Sequence, residues 1–288
     1  MNFWDRTWAL TRMTFDVIKK DNEMLLFPLL AAICSVLFSV AMLFPTVITH
    51  LLNDGGSFVW GPLQLAATFA TYFGLAFITT FFNTCVVYTT RVRLSGGDAT
   101  FGQSVSFAFS RIGRIISWSA LAASVGLLLS MLENAARNAK GVGAILLSIL
   151  RGLLATAWNV VTLFVVPAMV YQDLGPIDAI KSSMDTLRNT WGESLARHYG
   201  MGLASFLFTL PGILGGVLIV VAMGSGLPVG VGIALLAVVG LYILGVALVF
   251  NVANAVFNTA LYHYATSRQV PAGFSPEVLQ GAFTQSHA

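Results

Sequence analysis

Long apolar runs alternate with short polar intervals along almost the whole chain. Six runs suit helices that cross a hydrocarbon core of about 30 Å at about 1.5 Å per residue. They are predicted at about Met24–Thr49, Pro62–Thr90, Ile115–Leu132, Gly152–Tyr171, Gly200–Met223 and Val231–Tyr264. The longest polar interval, Tyr171 to Tyr199, carries Ile177, Ile180, Met184, Leu187 and Trp191 at helical spacing, so one apolar stripe is expected on a surface helix. Gly175-Pro176 opens it, because proline in a first turn gives up no needed N–H, and Gly192 is a plausible stop. Two further amphipathic helices are predicted over residues 3–20 and about Thr100–Ile112, the second capped by Asp98 or Thr100. The stretch Glu133–Arg151 admits two readings, a helical extension or an interfacial turn.

The order amphipathic helix, span, span occurs three times, with Tyr88, Tyr171 and Tyr264 each closing a unit. The predicted fold is an all-α polytopic membrane bundle of six transmembrane helices in three parallel repeats of amphipathic helix plus helical hairpin. Residues 1–270 form the integral membrane domain, with units of about 1–98, 99–175 and 176–270, and 271–288 form a cytoplasmic tail.

Composition agrees: 57% of residues are hydrophobic and 9% are charged, against about 25% charged in a soluble domain. The net charge is only +3, but its placement is uneven. Of the 15 basic residues, all but Arg137, Lys140 and Arg151 fall on the side of the termini, which predicts cytoplasmic termini. The small excess gives no reason to expect a nucleic-acid partner. Cys34 and Cys85 stand alone inside spans, without metal or redox spacing. No cleavable signal peptide is expected, since the first apolar run follows a charged segment and is too long for one.

Val166-Pro167, then Leu174-Gly175-Pro176-Ile177-Asp178-Ala179-Ile180-Lys181-Ser182-Ser183, then Thr190-Trp191-Gly192, resembles a pattern in uncharacterised six-span bacterial membrane proteins. The flanking WDRTWALTRMTFDVIKKDNEMLLFP and FNTALYHYATSRQVPAGFSPEVLQGAF are similar to that family too, and the membrane domain attached to some glycerophosphodiesterases has a related look. The resemblance implies a fold and a bacterial inner-membrane location. It brings no known activity and no functional residues.

Chemistry is sparse. No acid lies within a predicted span, which argues against a proton-coupled pump. The four histidines are scattered, no nucleophile elbow or phosphate loop is present, and neither a metal nor a cofactor is expected. The asparagines inside spans are Asn83, Asn159, Asn251, Asn254 and Asn258, a candidate polar interior. Interhelical hydrogen bonding explains them better than a lined substrate path, and Asn251, Asn254 and Asn258 should face inward. Gly212 and Gly216 suit close helix packing, within the chain or across a homodimer. Tyr262-His263-Tyr264 reads as an interface anchor in preference to a gate. The function expected is non-enzymatic: organising membrane lipids or a protein partner at the cytoplasmic leaflet. The alternative is a channel or facilitator for a small or lipid-like molecule.

Overall fold

A computed structural model describes residues 22–52, 62–191, 200–267 and 269–270. The predicted helix over 3–20, the loop around Gly55 and the tail over 271–288 lie outside the described residues. A 3-10 turn, Asn22–Leu25, leads into α1, Leu26–Leu52. There follow α2 (Pro62–Leu94), α3 (Phe101–Ser110), α4 (Ile112–Asn138), α5 (Val142–Val161), α6 (Val165–Gln172), α7 (Pro176–Trp191), α8 (Gly200–Gly224) and α9 (Val229–Ser267). Every regular element among the described residues is helical.

Six stretches are long and apolar enough to cross a membrane: Glu23–Leu43, Leu65–Leu94, Ile112–Asn138, Val142–Gln172, Ser205–Gly224 and Val229–Ser267. The turns explain their ends. Gly96, with φ 81°, reverses the chain after α2, and Gly141, with φ 62°, does so between α4 and α5. The Glu133–Arg151 stretch is therefore helical extension on both sides of a tight turn. The fourth membrane-crossing stretch begins at Val142, ten residues before the predicted Gly152.

That stretch is broken. Residues Thr162–Phe164 form a turn between α5 and α6. Pro167 explains the interruption, because it has no N–H to return to the carbonyl of Leu163 and its ring crowds that position. The α6 segment is buried from Val165 to Val170.

α2 is the central helix and packs along α1, α4 and α9. Phe69, Phe73, Phe77 and Phe81, four residues apart, follow one another along it, the first two pairs stacked and the last tilted, with ring centroids 6.4, 6.5 and 6.2 Å apart. The Phe38 ring of α1 covers Gly74, where a β-carbon would meet it. α8 packs chiefly on α9. There Gly212 lets Ile243 and Tyr242 approach, and the Tyr242 hydroxyl donates to the carbonyl of Phe208 at 2.7 Å. The small-residue pair thus serves packing within the chain, with Val239 over Gly216.

The core is concentrated at one end. Phe27, Cys85, Ile115, Phe164, Val256 and Tyr262 are all buried there. In α9 every buried residue except Gly232 falls from Phe250 onward. α5 has no buried residue. The opposite half of the bundle presents Leu128, Leu153, Leu218 and Leu241 outward. This is the expected surface of a membrane helix bundle, where lipid is as good a solvent for leucine as another helix. The closely packed end also carries Arg91, Arg93, Arg111, Arg114 and Lys181, and is called the basic end below.

Candidate functional site

At the basic end the two short helices are stitched to the spans. Thr100 caps α3, its hydroxyl accepting from the Gln103 N–H while the Gln103 side chain accepts from the Thr100 N–H. Another N-terminal donor of α3, the Phe101 N–H, reaches the Glu23 carboxylate at 3.1 Å. Phe101 stacks on Phe27 of α1 at 4.9 Å, and Phe107 stacks on Tyr88 of α2 at 4.3 Å. Beneath these rings the buried hydroxyls of Thr89 and Ser104 lie 2.6 Å apart.

α7 is held differently. The buried Ser183 hydroxyl accepts the hydrogen bond of the Phe164 N–H at 3.1 Å, at the break between α5 and α6. Backbone exposed by a broken membrane helix must find such a partner inside the protein. Ala179 and Leu187 stand one turn to either side of Ser183 and are buried with it. The predicted stripe is thereby corrected. Leu187 faces the bundle, but Ile177 is 64% exposed and Met184 43% exposed. The small Ala179 and Ser183 sit inward and let α7 approach the spans, with Ile180 and Leu187 packed beside them, while Ile177 and Met184 point away.

Ion pairs lock the loop between α6 and α7. Asp173 ends α6 in the left-handed conformation, φ 59°, a shape aspartate tolerates better than most residues. Its carboxylate pairs with both Arg111 and Arg114, at the junction of α3 and α4. Arg91, in the last turn of α2, donates to the carbonyl of Val170 at 2.8 Å. This places a cation on the carbonyl end of α6, where the helix dipole favours it. The same guanidinium lies 4.9 Å from the centre of the Tyr171 ring. Tyr171 meets Tyr262 edge-on at 5.5 Å and His263 at 5.8 Å. The Tyr262 and Ser182 hydroxyls are 3.2 Å apart. Tyr262 is fully buried, so it is a core residue and not an interface anchor.

Beside this cluster, α7 and the end of α9 enclose an open pocket of about 390 Å³. Gln172, Asp178, Lys181, Ser182, Asp185 and Thr266 give it a polar lining. Lys181 is paired with Asp178 at 3.2 Å. The mixture of amide, hydroxyls and both charges can hydrogen-bond a polar headgroup or a protein surface. Among the described residues no three His, Cys, Asp or Glu side chains converge as a metal ion would require.

The asparagines do not gather as expected. Asn83 and Asn258 are half-buried, while Asn159, Asn251 and Asn254 are exposed. The inward face of α9 is formed instead by Ala253, Val256, Phe257 and Ala260, whose two alanines allow close approach. Asn254 therefore points out of the packed interior, contrary to the inward expectation. The contacts that do hold the basic end together join Arg111 to Asp173, Arg91 to Val170 and Ser183 to Phe164. The sequence marks Arg111 and Arg114 only as two of the basic residues on the side of the termini. Its one signal for the α5–α6 break was the Val166-Pro167 and Ser182-Ser183 of the family-like pattern.

Six apolar helices with short helices collected at one end define a multi-pass membrane protein. Within that class, the chain belongs to the family of unknown function DUF6159, whose model matches residues 63–273. No curated protein matches it.

Proposed function

We propose that this protein is a non-enzymatic organiser of lipid or protein partners at the cytoplasmic leaflet of a bacterial inner membrane. The observation that carries the reading is the division of the molecule. Buried packing, the Asp173 ion pairs and the polar pocket lie at the basic end, whereas most of the rest of the bundle offers apolar side chains to its surroundings. A rigid, polar surface on a lipid-embedded stem suits docking. The excess of basic residues there supports a cytoplasmic orientation, and an anionic leaflet would attract them by about 1 kcal/mol per residue. The three-unit repeat is supported by the matching positions of α3 and α7. Each follows a helix pair and is tied by a serine, Ser104 to Thr89 and Ser183 to Phe164. Photocrosslinking from Asp185 in native membranes tests the proposal. Capture of a defined lipid or protein, lost when the pocket is filled by Thr186→Trp, is expected; featureless labelling would contradict it.

One observation favours a second reading, a facilitator for a small or lipid-like molecule. The α5–α6 break puts non-helical backbone within a membrane-crossing stretch, as in transporters whose helices are interrupted near a substrate site. Specific flux in proteoliposomes would decide for it.

A further inference from the structure

The three basic residues that break the charge asymmetry, Arg137, Lys140 and Arg151, all belong to the α4–α5 hairpin. Glu133 is shared by two of them, receiving Arg137 at 2.6 Å and Arg151 at 2.9 Å, so the group keeps a surplus of positive charge. Arg151 is followed at helical spacing by Leu154, Trp158 and Val161 on one face of α5. Those three, with Val125, Leu129 and Leu132 of α4, line an almost wholly apolar open groove of about 390 Å³. Trp158 is fixed by parallel stacking on Trp118, with ring centres 5.8 Å apart.

Position along the axis joins the two features. Arg151 precedes Gln172, the end of α6, by at most roughly 30 Å at about 1.5 Å per residue, since the stretch is interrupted at Thr162–Phe164; that is close to one hydrocarbon thickness. The arginine cluster therefore stands at headgroup level on the face opposite the basic end, and the groove runs from it roughly 15 Å into the hydrocarbon. Guanidinium groups suit phosphate oxygens, and an apolar groove suits an acyl chain. We propose that this groove binds one anionic phospholipid, its phosphate held by Arg137 and Arg151 and one acyl chain lying against Leu132, Leu154 and Trp158. The proposal requires the membrane-spanning fold but is independent of the organiser reading, because it concerns the other end of the bundle.

The full chain, delipidated in detergent and offered equal phosphatidylglycerol and phosphatidylcholine, should retain one phosphatidylglycerol by native mass spectrometry. A preference of about tenfold is expected, the scale of one or two net charges acting on an anionic headgroup. Arg137→Gln with Arg151→Gln should bring the preference close to parity. Ala157→Phe fills the groove without touching either arginine and should expel the lipid, whereas Lys181→Gln at the basic end should change nothing. Only variants that keep the parent thermal transition are compared; Arg137→Gln alone serves if Arg151→Gln does not fold. Equal retention of the two lipids, meaning ordinary annular lipid only, overturns the proposal. So does an unchanged preference in either the arginine variant or Ala157→Phe.

Discussion

Ser183 of α7 accepts a hydrogen bond from the Phe164 N–H at 3.1 Å, and both residues are fully buried. This pairing connects the break in the fourth membrane-crossing stretch to the short helix that follows it. Ser183→Ala should lower stability by about 1–3 kcal/mol, the scale of removing one partner from a buried hydrogen bond. Thermal unfolding in detergent measures it. Because the bond is to the main chain, Phe164→Leu should leave the bond itself in place, losing only ring packing, and a double variant would separate the two effects.

The two faces of α7 give opposite expectations. Leu187 is buried and Met184 is not. Leu187→Ala should cost about 2–5 kcal/mol. Met184→Ala should stay within about 0.5 kcal/mol, as surface substitutions do. Equal effects in a denaturation series would mean that the helix is rotated from the position described.

Asp173 combines an ionic role with a backbone role. Its pairs with Arg111 and Arg114 are partly exposed, so Asp173→Asn should cost about 0–1 kcal/mol, and less at high salt. Asparagine keeps the left-handed backbone accessible. Asp173→Val adds the penalty of a branched side chain at positive φ, about 1–2 kcal/mol, and that part should be insensitive to salt. Melting curves at low and high ionic strength distinguish the contributions.

Along the α8–α9 seam, Gly212→Val should be disruptive by about 1–3 kcal/mol, since a β-carbon there would already lie 2.8 Å from Ile243. Gly216→Ala should be tolerated, with Val239 at 3.8 Å. A reversed order would contradict the packing of this seam.

Much of the architecture was readable as hydropathy. All six runs, the α7 start at Pro176, and the Thr100 cap follow from local rules that need no tertiary information. The orientation of faces was less accessible. A hydrophobic stripe identifies the inward face of a helix surrounded by water, but in lipid the large apolar residues can turn outward and small ones inward. Ile177 and Met184 turn outward for that reason; Asn254, expected inward because an amide in hydrocarbon is costly, is exposed too, and its neighbours Ala253 and Ala260 make the buried face. The Arg111–Asp173 pair joins residues distant in sequence, and no spacing rule announces it.

Asn254 offers a direct check of that lesson. Since it is exposed, Asn254→Leu should be neutral within about 0.5 kcal/mol in detergent. A loss of about 1 kcal/mol, the scale of an interhelical hydrogen bond in a membrane, would restore the inward reading.

The central claim, a six-span bundle whose basic end faces the cytoplasm, is tested most directly by labelling single cysteines in intact cells with a membrane-impermeant thiol reagent. The background would carry alanine at Cys34 and Cys85, the two native cysteines. Asn138→Cys, at the end of α4, and Ser225→Cys, in the turn between α8 and α9, both opposite the basic end, should react in intact cells. Ser95→Cys and Asp178→Cys should react only after the membrane is permeabilised. Labelling of Ser95→Cys or Asp178→Cys in intact cells, with Asn138→Cys and Ser225→Cys protected, would invert the molecule and contradict the account.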